Sequence, residues 1–204
     1  MPIRSLDTTI TQKTAVFLDR DGTVIEEVGY LENIWQLKLI PGAARAIGLL
    51  NKAGIPVIMI TNQSGVARGY FSESLVERLH QRLNELLEAE LAYLDAIYYC
   101  PHHPTEGTAP YRRACNCRKP HPGMVEQAID DLQLGKQRLF VVGDKCVDME
   151  LANQIRAEGI LVLTGYGREE KKQLDKIGKA QPAYIATDLL QAAEWILSQL
   201  AADK

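Results

Sequence analysis

Short apolar runs alternate along the chain with longer segments whose apolar positions recur at helical spacing. "TAVFL" (14–18), "IPVIMI" (55–60), "DAIYYC" (95–100), "RLFVVG" (138–143), "ILVLTG" (160–165) and "AYIATD" (183–188) read as strands. "IPVIMI" has no polar alternation, the pattern of a strand covered on both faces. "PGAARAIGLLNKAG" (41–54) reads as a helix with Pro41 in its first turn and Gly54 just past its end. A longer helix opens at Ser72 or Ser74 and runs to about Leu91, with Leu75, Leu79, Leu83, Leu86 and Leu87 near helical spacing. Ser74 and Glu77 have the spacing of a capping box. "PGMVEQAIDDLQL" (122–134), "DMELANQIRAEG" (148–159) and "LLQAAEWILSQL" (189–200) complete the helices. This alternation predicts right-handed βαβ crossovers, hence an α/β fold: a three-layer, Rossmann-like parallel sheet with helices on both faces. No repeat, low-complexity tract or linker divides the 204 residues, so one domain is expected over 1–204. About 20 residues after "DAIYYC" carry no periodic pattern, which compact domains seldom tolerate without a purpose.

The polar residues fall where such a sheet binds ligands, outside the carboxyl ends of its strands. The first strand ends in Asp19, Arg20, Asp21, Gly22 and Thr23, and "IPVIMI" ends in Thr61, Asn62, Gln63 and Ser64. "RLFVV" ends in "GDKCVD" (143–148) and "ILVL" in "TGYG" (164–167), while Arg118 and Lys119 precede a helix. Each alone reads as a turn or a helix cap; their joint appearance at successive strand ends reads as a catalytic site. Asp19, Asp144 and Asp148 repel one another unless a cation sits among them, and hard oxygen ligands favour Mg²⁺. Thr61 and Lys119 then offer a hydroxyl and a positive charge to phosphate oxygens, the electrostatic stabilisation a phosphoryl group needs in transfer. Strand alternation puts Asp19 and Asp21 on one side, with Arg20 pointing elsewhere in a structural role.

The irregular segment carries its own chemistry. Cys100 and His102 form one close pair, Cys115 and Cys117 another, and three thiolates with one imidazole make a closed tetrahedral Zn²⁺ site of the structural kind. His103 is an alternative ligand to His102, and His121 a weaker one. Coordination would supply the free energy that a loop over about 100–119 lacks in core, and would set Arg118 and Lys119 directly after a rigid ligand. The fourth cysteine, Cys146, reads as a small packed residue.

DxDGT at Asp19–Thr23, the Thr61 motif, Lys119 and GDKxxD at Gly143–Asp148 together resemble the four motifs of the haloacid dehalogenase superfamily of phosphotransferases. "TNQSGVARG", "YYCPHHP" and "CNCRKPHPGM" are similar to the heptose bisphosphate phosphatases within it, a zinc-loop subfamily that also includes histidinol-phosphate phosphatases. The resemblance implies a phosphatase with Asp19 as nucleophile, Asp21 as acid and then base, and Thr61 and Lys119 as phosphate-binding catalytic groups. It implies Mg²⁺ held by the carboxylates of Asp19 and Asp144 and the backbone carbonyl of Asp21, with Asp148 orienting rather than ligating. It further implies substrate contacts from Glu27, Val28, Gly29 and Tyr30, from Thr61, Asn62, Gln63 and Ser64, and from Arg118, Lys119 and Lys145. The implied substrate is a sugar bisphosphate whose 7-phosphate is removed on the route to nucleotide-activated heptose. Only a loop and one helix fit between Asp19 and Thr61, so no large cap domain is expected and short loops shape specificity. The chain departs from the subfamily in its longer N-terminal lead and in "TGYGREEKKQL" (164–174), which leaves the anomer preference open.

Composition narrows the alternatives. A net charge of −3 and no basic stripe speak against nucleic acid as a partner, including a 3′-phosphate substrate. No run approaches the roughly 18 apolar residues of a membrane span, and the polar N-terminus lacks a secretory signal, so a cytoplasmic, monomeric enzyme is expected. Histidinol phosphate remains the rival substrate. A receiver-like phosphorylation switch or a zinc-stabilised interaction module is the non-enzymatic rival, and Asp21 argues against the switch because a paired acid promotes hydrolysis.

Overall fold

The computed structural model describes residues 14–134, 138–177 and 181–202, so the polar N-terminal lead lies outside the described residues. Six parallel strands stand in the order β3 (Ala96–Cys100), β2 (Val57–Asn62), β1 (Thr14–Leu18), β4 (Arg138–Gly143), β5 (Glu158–Val162) and β6 (Tyr184–Ala186). Chain order therefore runs outward from β1 to β3 on one side and from β4 to β6 on the other. The crevice at the carboxyl ends of β1 and β4 is the switch point at which open α/β sheets bind ligands.

Alternation along each strand feeds two cores. Val16, Leu18, Met59, Phe140 and Val142 pack under α1 (Ala43–Lys52), α2 (Glu73–Ala89) and α6 (Leu189–Ala202). Ala15, Phe17, Ile58, Ile60 and Val141 pack under α3 (Gly123–Leu132) and α4 (Cys146–Gln154). Leu174 of α5 (Gly167–Ile177) joins the second layer against Met149 and Leu161. The three-layer arrangement expected from the pattern is present. Between β1 and α1 there is only a loop with one 3₁₀ turn (Ile34–Gln36), and between β2 and β3 only α2, so the described residues hold no large cap domain. No helix among them is long and apolar enough to cross a membrane.

Three local expectations differ. The helix expected to reach Gly159 stops at Gln154, because Glu158 and Gly159 pair with Phe140 and Val141 of β4 and Arg156 turns the chain with φ 56°. Ser72, not Ser74, caps α2: its Oγ accepts from the Leu75 backbone N–H at 3.3 Å, which satisfies an orphan donor of the first turn. Helix α5 was not expected within "TGYGREEKKQL".

Candidate active site

β1 delivers the first carboxylates. The Asp19 backbone N–H donates to the Val142 carbonyl at 2.9 Å, so the β1–β4 ladder fixes Asp19 beside the end of β4. The chain then turns: Arg20 O accepts from the N–H groups of Val24 and Ile25, and Gly22 adopts φ +80°. A side chain there would be strained, and its Cβ would lie 2.2 Å from Asp144 Oδ2, so only glycine admits the Asp144 carboxylate. Gly165 flanks the other side, where an added Cβ would sit 2.3 Å from the same oxygen.

This turn overrides strand alternation, so Arg20 does not point away. Its guanidinium, buried, donates to Asp21 Oδ1 at 3.0 and 3.3 Å. Asp21 Oδ2 accepts from Gln63 Nε2 at 3.0 Å, and the same amide donates to Thr61 Oγ1 at 2.9 Å. Thr61 thus accepts within the protein and keeps its own hydroxyl hydrogen for a ligand.

Lys119 reaches the same spot from the opposite wall. Its Nζ bridges Asp19 Oδ1 at 2.8 Å and Asp148 Oδ1 at 2.7 Å, all three side chains being buried. Burial pulls the ammonium down, but Asp148 and Asp19 outweigh it and hold the pKa above the usual lysine value. Burial pushes Asp148 up to about 6 against the pull of Lys119, and pushes Asp144, next to Asp19, up to about 8. Asp144 Oδ2 accepts from Tyr166 N at 2.8 Å, whereas its buried Oδ1 has no partner. A buried, unpartnered carboxylate oxygen is costly. Asp19, Asp144 and Asp148 place ligand oxygens within 4.8 Å of one another, so this oxygen fits a bound cation. With Asp148 committed to Lys119 and to the Lys145 N–H at 3.3 Å, Asp19 and Asp144 are the carboxylates best placed to ligate one.

The irregular segment folds around Cys100, His102, Cys115 and Cys117. Cys117 Sγ lies 3.3 Å from both Cys100 and Cys115 and 3.3 Å from His102 Nδ1, separations that suit the edges of a tetrahedron. Burial pushes the Cys100 and Cys117 thiols up, so a metal entering the site would displace protons. His103 is excluded: its Nδ1 accepts from the Glu106 N–H at 2.9 Å and its Nε2 faces Arg68. His121 is exposed and outside the cluster. Two residues past Cys117, the Asn62 side chain grips the Lys119 backbone, accepting from its N–H at 3.0 Å and donating to its carbonyl at 3.1 Å.

Above this floor lies a cleft of about 260 Å³, lined by Asp21, Glu27, Gly29, Tyr30, Asn62, Gln63, Ser64 and Lys145 among the expected residues. Lys145 Nζ pairs with Glu27 Oε2 at 3.1 Å and lies 4.8 Å from the centre of the Tyr166 ring. Two expected contacts sit elsewhere. Val28 is exposed outside the lining, and Arg118 Nη1 donates to the His102 carbonyl at 3.2 Å, toward the cysteine loop. Asn62 borders the cleft, yet its amide is committed to Lys119. Arg20, Phe71 and Tyr166 line the cleft and were not expected to; only for Tyr166 was there a signal, its place in a strand-end "TGYG".

The comparisons agree with this geometry. Residues 16–88 match the model for haloacid dehalogenase-like hydrolases, and residues 116–192 match a second, HAD-hydrolase-like model. A D-glycero-D-manno-heptose-1,7-bisphosphate 7-phosphatase of Thermosynechococcus vestitus is 45% identical over 193 residues, covering 93% of this chain and 98% of that protein. The D-glycero-beta-D-manno-heptose-1,7-bisphosphate 7-phosphatase of Pasteurella multocida is 42% identical, covering 85% of this chain and 91% of its own. Among solved structures, the D,D-heptose 1,7-bisphosphate phosphatase of B. bronchiseptica, complexed with magnesium and phosphate, superposes with a TM-score of 0.79 at 31% identity, over 92% of this chain and 99% of that one. Likeness of this extent, over a site that brings Asp19, Thr61, Lys119 and Asp144 together, makes the chain a member of the D-glycero-D-manno-heptose-1,7-bisphosphate 7-phosphatase family of haloacid dehalogenase-like hydrolases.

Proposed function

We propose that this protein removes the 7-phosphate of D-glycero-D-manno-heptose 1,7-bisphosphate through an aspartyl-phosphate on Asp19. The observation that carries the chemistry is the buried Lys119 bridge between Asp19 and Asp148, beside an unpartnered oxygen of Asp144. The substrate is supported by the relatives, whose names specify it. Asp19 attacks phosphorus as the bond to the C7 oxygen breaks, and Asp21 delivers a proton to that oxygen. Asp21 then takes a proton from water as the water attacks the phospho-aspartyl bond, which frees inorganic phosphate and restores Asp19. Thr61 and Lys119 hold the phosphoryl oxygens throughout. Mg²⁺ would be held by Asp19, Asp144 and the Asp21 carbonyl, and when bound supplies positive charge against the carboxylates and the phosphate. Glu27, Gly29, Tyr30, Gln63, Ser64 and Lys145 face the sugar, and Arg118 would have to swing from the His102 carbonyl to grip the second phosphate. A site built wholly from one chain suits a monomer, and a thiol cluster suits the reducing cytoplasm.

Parallel assays test the substrate. Heptose 1,7-bisphosphate of either anomer should be hydrolysed at least about 100-fold more efficiently than histidinol phosphate, a difference of about 2.7 kcal/mol in transition-state binding. Equal or reversed efficiencies reject the assignment.

The high pKa of Asp144 gives Mg²⁺ binding a sign. Below about 8 the carboxyl holds a proton that the cation must displace, so affinity should strengthen with rising pH and level off near that value. Titration calorimetry at pH 6.5 and 7.5 should show Kd falling by nearly tenfold, about one proton released per ion. Equal affinities at the two pH values contradict it.

Cys100, His102, Cys115 and Cys117 would hold Zn²⁺. The loop is tied to the phosphate-binding wall by the Arg68–Glu106 ion pair and the Asn62 grip on Lys119. Cys117→Ser should therefore lower both the zinc content and the melting temperature, the latter by at least about 5 °C, equivalent to roughly 2 kcal/mol at this chain length. An unchanged melt in a zinc-free variant refutes a structural metal.

A further inference from the structure

One buried titratable side chain is left without a role by the mechanism above. His80 sits on α2, nearly enclosed, with its Nε2 3.3 Å from Arg20 Nη1. An arginine has donors only, so the imidazole must be the acceptor: Nε2 is bare and the ring is neutral. Burial, and then the Arg20 charge beside it, pushes His80 down to about 3, in keeping with that tautomer. The ring is held edge-on to Tyr99 at 5.6 Å between centroids. Tyr99 is anchored in turn, since its hydroxyl and that of Tyr111 donate to Glu73 in the first turn of α2 at 2.7 and 2.6 Å.

We propose that His80 is a positioning residue for proton transfer: by accepting from Arg20 it fixes the guanidinium on Oδ1 of Asp21, so that Oδ2, which takes one hydrogen bond from Gln63 Nε2, keeps its remaining lone pair as the one that exchanges the proton. The inference rests on the assignment of Asp21 as acid and base. Arg20 has three polar contacts of the side chain, two to Asp21 Oδ1 and one to His80. Without the imidazole the buried Nη1 loses its acceptor. The guanidinium then gains by tilting toward any other oxygen, and the carboxylate turns with it. A small misorientation at the proton-transferring oxygen is costly to the rate, although it leaves substrate binding alone.

A double-mutant cycle separates this from mere core filling. With heptose 1,7-bisphosphate and saturating Mg²⁺, His80→Leu should lower kcat about tenfold and keep KM within about twofold. His80→Gln, whose amide oxygen can still accept from Arg20, should recover most of that loss. In the Asp21→Asn background the same His80→Leu change should cost less than about twofold, because the group it positions is gone. An equal loss in both backgrounds, or no loss in the first, overturns the proposal. If His80→Leu does not fold, His80→Asn, too short to reach Arg20, takes its place in the cycle. Undiminished activity in Asp21→Asn itself would instead sink the acid–base assignment, which keeps the two failures apart.

Discussion

Asp19→Asn should reduce phosphate release by at least about 10⁴-fold, since losing a covalent nucleophile leaves only binding and electrostatics to lower the barrier. The fold should survive. Asparagine has nearly the same volume as aspartate, and Lys119 keeps Asp148 at 2.7 Å as its counter-ion when one carboxylate becomes an amide. Replacing a charged oxygen by an amide also removes one of the like charges beside Asp144, which eases rather than worsens the packing of carboxylates there. Steady-state phosphate release together with a thermal melt checks both halves. Residual turnover above about a hundredth of wild type, with the melt unchanged, would place the nucleophile elsewhere.

Lys119→Met is expected to have the second largest effect, and unlike the first it should act on stability as well. The substitution leaves Asp19 and Asp148 buried without the cation that bridges them. Breaking a buried pair from one side costs about 3–5 kcal/mol, and removing one electrostatic clamp from a phosphoryl group lowers kcat by about 10²–10³-fold. The pH dependence has a definite direction. Burial already raises the Asp148 carboxyl to about 6 while Lys119 holds it down, so removing Lys119 sends it higher. The folded variant then binds more protons than the unfolded chain, and the deficit relative to wild type should grow from pH 5.5 to pH 7.5. Melts of both proteins at the two pH values, in buffer without added Mg²⁺, test this; a deficit that shrinks toward pH 7.5 contradicts it.

The layered sheet was legible because its strands are continuous apolar runs and its helices carry apolar stripes. Where a stripe is missing, so was the prediction. α5 (GREEKKQLDKI) is mostly charged and polar, with Leu174 as its one buried anchor among the described side chains, and so few apolar positions make no stripe to read. The end of α4 was misplaced because pairing of Glu158 with Phe140 outweighs a helical pattern that runs on through 155–159. Asp19 and Asp144 were legible since each follows a strand directly and the sheet register brings the strand ends together. Arg20 was not, because period-two reasoning fails once the chain enters the turn closed by Gly22. The resemblance implies a substrate contact from Asn62, which borders the cleft; that its side-chain amide also grips the Lys119 backbone 57 residues away is a pairing only tertiary structure reveals. His80 is illegible for the same reason: on the stripe of α2 it reads as one more core position, and its meaning comes from an arginine 60 residues earlier in the chain.

The most direct test is ³¹P NMR of the purified protein acting on D-glycero-D-manno-heptose 1,7-bisphosphate with Mg²⁺. The predicted result is loss of the C7 phosphomonoester resonance, growth of inorganic phosphate in equal amount, and a persisting C1 phosphate signal. Loss of the C1 resonance first, or an unchanged spectrum alongside rapid hydrolysis of another phosphomonoester, would contradict it.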